Sequence, residues 1–304
     1  METACKAPVI DRAAVASPCL CEGKMVIKRL SAALMAVALW GGAAIAQTTP
    51  APAPAAAPAP EPPKPDPTGP FGGSITGIVT LTSDYRFRGI SQSKNDPAIQ
   101  GGLTYEVPLP FIGFAPVSIY GGFWGSSINF SPDVDESIEL DMVAGVKFKF
   151  LQEKLVLDLG WIGYRYPGSM KSAHLAYDEF GGSLSYDFGF ATLAGQVRYS
   201  PNFVAHSGDA WYKQAMLTVP LDFIKISEKV SFKMFGGIGH QAVQRNARFA
   251  NPDYWEWQIG LVATIYGVDF GVTYVDTDIS KRRCNGGGFN YCAPRAIFSI
   301  SKSF

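Results

Sequence analysis

The residues able to do chemistry in this 304-residue chain are charged side chains recurring with a period of two, a pair of cysteines and three histidines. Asp84, Arg86 and Arg88 are spaced so that an extended backbone projects all three from one face. Glu106, Glu139, Asp141, Lys147, Lys149, Asp158, Arg198 and Lys233 take the corresponding phase in later segments. Charges lining a narrow aqueous passage shape its field and sort solutes by charge. The same charges, opposed across a narrow barrel, would neutralise one another and plug it. Cys284 and Cys292, separated by Asn285 to Tyr291, read as a disulfide across a loop if the chain is exported. With no second pair and no histidine close by, they do not read as a zinc site.

The histidines offer less. His174 and His206 fall in segments that read as outer loops, and His240 ends a strand in the outward phase. A hydrolase would need a nucleophile, a histidine base within hydrogen-bond reach and a third group orienting it. The sequence shows no Gly-x-Ser-x-Gly elbow, and it points to no catalytic residue, no metal and no cofactor.

The elements that must position these charges are strands. Ile138, Leu140, Met142, Ala144, Val146, Phe148 and Phe150 alternate with Glu139, Asp141, Val143, Gly145, Lys147 and Lys149, which puts nearly every charge on one face. Strands of soluble sheets are mostly about five or six residues, whereas a tilted strand crossing a bilayer needs about nine to eleven. The same alternation predicts strands around Ile75–Leu81 and Ile99–Val107, then at Val117–Trp124, Leu155–Tyr164, Tyr177–Phe188, Ala191–Tyr199, Trp211–Phe223, Val230–His240, Trp255–Ile265, Val268–Thr277 and Ala296–Phe304. With the strand at Ile138 the number is about twelve, and an even number returns both ends of a barrel to one side.

Connections alternate in length as well. Leu151–Lys154, Gly189–Phe190 and Tyr266–Gly267 are tight turns, whereas Tyr85–Pro97, Gly125–Asp135, Pro167–Ala176, Pro201–Ala210 and Ser280–Pro294 are longer and polar. Short turns face the periplasm and long loops the outside in barrels of the bacterial outer membrane, which places the cysteines in the last outer loop. Rings gather near strand ends, as at Tyr164, Tyr166, Tyr199, Trp211, Tyr254, Trp255 and Trp257, in keeping with girdles at two interfaces. The expected fold is therefore all-β, a transmembrane antiparallel meander barrel over residues 73–304.

The preceding residues carry an address. Lys28 and Arg29 lead an apolar run from Leu30 to Trp40, and Ala44, Ile45 and Ala46 supply small residues for cleavage, so 25–46 reads as a secretory signal peptide. Residues 1–24 fit neither a signal nor a core and read as a wrongly chosen start. Residues 47–72 are dominated by Ala and Pro and should sample extended polyproline II conformations, either as a disordered periplasmic tail or as a spacer reaching another envelope component. Lys plus Arg and Asp plus Glu each number 26, so no basic footprint for nucleic acid exists.

The tract Asp84, Tyr85, Arg86, Phe87, Arg88, Gly89, Ile90, Ser91 and Gln92, with Cys284 to Cys292, Arg295 and the closing Ser299–Phe304, resembles the TorF family of porin-like proteins. The resemblance runs from about Gly73 onward and implies an outer-membrane barrel with passive transport, without a set of binding residues. The expectation is a monomeric channel for small hydrophilic solutes, with Arg86 and Arg88 biasing its outer mouth towards anions. Its expected partners are outer-membrane lipid and, through the strand ending at Phe304, the barrel-assembly machinery. A structural or adhesive barrel working through its loops, or a lipid-acting enzyme, are the other classes.

Overall fold

The computed structural model describes residues 69–112, 115–130, 136–169 and 173–304. The start segment 1–24, the signal peptide 25–46 and all but the last four residues of the Ala/Pro-rich segment lie outside the described residues.

Alternating sequences form strands because successive side chains point to opposite faces. Here they are β1 (Ser74–Thr82), β2 (Arg86–Phe87), β3 (Ile90–Ser91), β4 (Ala98–Ile112), β5 (Ala115–Ser127), β6 (Ile138–Phe150), β7 (Leu155–Arg165), β8 (Tyr177–Asp187), β9 (Thr192–Ser200), β10 (Ala210–Pro220), β11 (Val230–Val243), β12 (Tyr254–Ile265), β13 (Val268–Thr277) and β14 (Arg295–Ser303). All but β2 and β3 join one closed antiparallel barrel of twelve strands, each paired with its neighbours in sequence. Closure is made by β1, which pairs with β4 from Ser74↔Glu106 to Thr82↔Ala98 and with β14 from Ile78↔Ser303 to Thr82↔Ser299.

Side-chain phase separates two environments. On β6, Ile138, Leu140 and Met142 point outward and are exposed, while Glu139, Asp141 and Val143 point inward and are buried. Ile75, Leu81, Ile99, Phe123, Leu217, Ile259, Phe270 and Phe298 continue the exposed apolar surface around the barrel. A belt of that extent is stable in hydrocarbon and unstable in water. Trp211, Trp255, Trp257 and Tyr274 stand on it near the end carrying the long connections, where ring edges meet headgroups.

The turns follow local chemistry. Tyr266 and Gly267 both have positive φ, 51° and 73°, as a two-residue hairpin turn matching strand twist requires. Strand β10 stops at Pro220, short of the expected Phe223, and β5 runs to Ser127, past the expected Trp124. Strand β1 ends at Thr82, so Asp84, Arg86 and Arg88 do not continue its inward phase; they belong to a separate hairpin, β2–β3, whose ladder is Arg86↔Ser91 and Phe87↔Ile90.

Candidate functional site

The connection from Ser83 to Pro97 is polar in sequence yet buried or half-buried as far as Asn95, because its side chains hold one another. Asp84 is the hub. Its carboxylate accepts from Arg86 Nε at 2.7 Å, Ser91 Oγ at 2.6 Å and Ser93 Oγ at 3.1 Å. Arg86 spends its remaining donors on Gly89 O, Ala293 O and the Asn95 side chain. Arg88 and Gly89 turn the hairpin with φ of 49° and 82°, so a guanidinium sits at the apex.

That apex lies in the lumen. Arg88 Nη1 donates to Gln241 Oε1 on β11 and Nη2 to Glu179 Oε2 on β8, each at 2.6 Å. The guanidinium carbon is 4.1 Å from the Tyr212 ring centre on β10 and 4.6 Å from that of Phe87. Tyr254 on β12 donates its hydroxyl to Arg88 O at 3.0 Å, and Tyr164 on β7 shares Glu179 Oε2 at 3.2 Å. Tyr212 also donates to Glu256 Oε1 at 2.7 Å. Burial works against the charge of Arg88, but the Glu179 carboxylate outweighs it and holds the guanidinium pKa above its ordinary value. On the other side of the hairpin Tyr85 donates to Glu139 Oε1 at 3.1 Å and its ring meets Trp124 at 5.5 Å. Burial, then the charges of Glu139 and Asp141, push the Tyr85 phenol well above its usual range. Asp84, Glu139, Asp141, Glu179, Gln241 and Glu256 are each at most 2% exposed, so the loop closes the lumen towards the long-loop end.

The other half of the lumen is looser. Lys147 Nζ reaches Glu106 Oε2 at 2.5 Å, and Ser118 donates to Glu106 Oε1 at 2.7 Å. Tyr120 donates to Asp158 at 2.9 Å and faces Lys147 with its ring. Lys233 stands 3.8 Å from Asp269, and Lys149 pairs with Glu153 of the adjoining turn at 3.1 Å. Lys147 and Glu106 keep 28% and 27% of their side-chain surface, enough for water to reach both.

The last long connection braces the hairpin from outside. Cys284 and Cys292 are bonded, with Cα atoms 5.9 Å apart. Thr277 donates to Cys292 O, and the neighbouring Tyr291 O accepts from Ser91 N at 2.9 Å. Arg295 adds a hydrogen bond to Asn95 O at 2.9 Å and a 3.6 Å approach to Asp84.

Of the charges singled out in the sequence, Asp84, Arg86 and Arg88 form the hairpin, Glu139 and Asp141 line the wall beside it, and Arg198 lies buried on β9 in the inward phase. Glu106, Lys147, Lys149, Asp158 and Lys233 belong to the looser half. Arg86 and Arg88 are withdrawn from solvent and held by carboxylates, so neither presents free positive charge at an outer mouth. Sequence reasoning missed Glu179, Gln241, Glu256 and the tyrosines at 164, 212 and 254; their inward phase was readable, but not the guanidinium they surround. The histidines lie elsewhere. His174 and His206 touch in two long loops with ring centres 3.9 Å apart, and His240 packs on Trp255 outside the barrel. Among the described residues no three acidic, histidine or cysteine side chains converge as metal ligands.

The chain is similar to the COG4313 outer membrane channel from Pseudomonas putida F1, at 11% identity over 76% of this chain and 96% of that one with a TM-score of 0.43. It is similar to the NanC porin at 11% identity, over 75% and 98% of the two chains, with a TM-score of 0.42. LpxR from Salmonella typhimurium aligns at 11% identity over 76% and 99%, with a TM-score of 0.39. No curated protein matches the sequence. A family model does match, over residues 64–304, and by that match the chain belongs to Gcw_chp, a family of bacterial proteins of unknown function.

Proposed function

We propose that the protein is a porin-like channel of the bacterial outer membrane that admits small hydrophilic solutes by passive diffusion and is constricted by its own Ser83–Pro97 loop. The observation carrying this reading is the division of the lumen. Within the exposed apolar belt one half of the interior is lined by partly exposed polar groups, and the other half is filled by the inserted hairpin and the wall residues packed on it. A wall built only for rigidity could fill with apolar side chains, as small barrels do; here charged and hydroxyl groups line the looser half, with water able to reach Lys147 and Glu106. The resemblance of the Asp84–Gln92 tract to the TorF proteins agrees with this reading.

The depth of the hairpin favours one other reading, a structural barrel whose loops do the work. Single-channel recording of the refolded protein in a planar bilayer separates the two. Discrete steps from the wild type, enlarged when residues 85–96 are replaced by a short Gly/Ser link, support the channel. Silence from both proteins, each shown to be folded, overturns it in favour of the structural barrel.

A further inference from the structure

The guanidinium of Arg88 is buried inside the barrel, and the groups that receive it belong to the barrel wall. Glu179 and Gln241 take its two terminal nitrogens at 2.6 Å, the Tyr212 ring lies 4.1 Å from its carbon, and Tyr164 and Glu256 hold the first-named carboxylate and the ring in place. A planar cation met by an acid, an amide oxygen and an aromatic face is recognised by shape as well as charge. The wall carries the buried acids Glu139, Asp141, Glu179 and Glu256 and the buried Arg198. Arg88 is thus the hairpin's countercharge to the Glu179 carboxylate of the wall.

We propose that this wall site is a receptor for solutes bearing a guanidinium group, occupied in the closed barrel by Arg88 acting as an internal ligand. The inference rests on the channel reading for how a solute reaches the site, but not for the site itself. When the hairpin withdraws, the exposed Glu179 carboxylate attracts cations and the cage selects those with the geometry of Arg88. The passage is then cation-selective, opposite to the bias expected from Arg86 and Arg88 in the sequence alone.

The test removes the internal ligand and supplies it from solution. Arg88→Ala barrel is refolded in detergent, and its thermal unfolding is followed with millimolar ethylguanidinium, with uncharged ethylurea, and with sodium chloride at equal ionic strength. Ethylguanidinium should stabilise Arg88→Ala and leave the wild type unmoved, and Glu179→Gln in the same background should weaken the effect about tenfold or more. Equal stabilisation by ethylurea or salt, or an equal shift in the wild type, overturns the proposal. Should Arg88→Ala fail to fold alone, the readout is refolding: rescue by ethylguanidinium but not ethylurea supports the site, and no rescue overturns it. The sign of the reversal potential of Arg88→Ala across a potassium chloride gradient is the independent arm, and anion selectivity there overturns the proposal. A folded variant that binds ethylguanidinium yet never conducts supports the cage while sinking the channel.

Discussion

Arg88 and Glu179 are 91 residues apart in sequence and meet at 2.6 Å inside the barrel, with side chains 1% and 2% exposed. This contact is what turns an outer connection into a plug. A charge pair so deeply buried contributes through what its loss would leave behind, since removing one partner strands the other away from solvent.

Arg88→Ala and Glu179→Gln should therefore each destabilise the barrel by about 3–5 kcal/mol, the range for breaking a buried pair. The double variant should cost less than the sum of the two, because the second change removes the stranded charge. Urea unfolding in lipid vesicles, arranged as a double-mutant cycle, measures both, and additive losses would show that the pair is not coupled.

Gly89 offers a way to disturb the plug without removing a charge. Its φ is +82°, and a Cβ there would collide with Thr277 Cγ2 and stand 3.0 Å from Glu256 Cβ. Gly89→Ala should lift the apex and raise mean conductance and protease cleavage within 83–97, with the barrel strands still resistant. Unchanged conductance and cleavage would mean that the apex tolerates the methyl group.

The disulfide braces the same hairpin through Tyr291 O and, beyond the bond, Ala293 O. Closing so short a loop is worth about 2–3 kcal/mol in chain entropy. The Cys284→Ser, Cys292→Ser double variant, or mild reduction of the wild type, should increase open-channel flicker while leaving strand protection in hydrogen exchange intact. Flicker identical to the oxidised protein would place the brace elsewhere.

Ile259 lies midway along β12, 54% exposed on the apolar belt. Ile259→Arg should cost about 2–4 kcal/mol in folding into bilayers, the penalty for a cation near the midplane of an outer-membrane barrel. The inward neighbour Gln258 makes the control, since Gln258→Arg should cost far less. Equal costs would contradict the assignment of faces.

Local alternation decided much of this protein. Glu139 and Asp141 face inward and Ile138 and Leu140 outward because a period of two is a property of neighbouring residues, and twelve such runs separated by turn residues leave an antiparallel barrel as the way to satisfy every strand edge. The pairing of Cys284 with Cys292 was equally near at hand, being confined to one loop. The fate of Asp84–Ser91 was not. Extended spacing alone made Arg86 and Arg88 continuations of β1, facing a mouth, whereas Arg88 is held by residues 91 and 153 positions away and Arg86 by a carbonyl 207 positions away. Whether a polar loop stands in water or folds into a lumen depends on the carboxylates and rings the closed barrel brings to one level, and that meeting exists only after every strand has found its neighbour. The sequence by itself therefore determined the faces, the order and the closure of the wall; the tertiary structure decided what fills it, because desolvating a guanidinium is favourable only where Glu179, Gln241 and Tyr212 already converge.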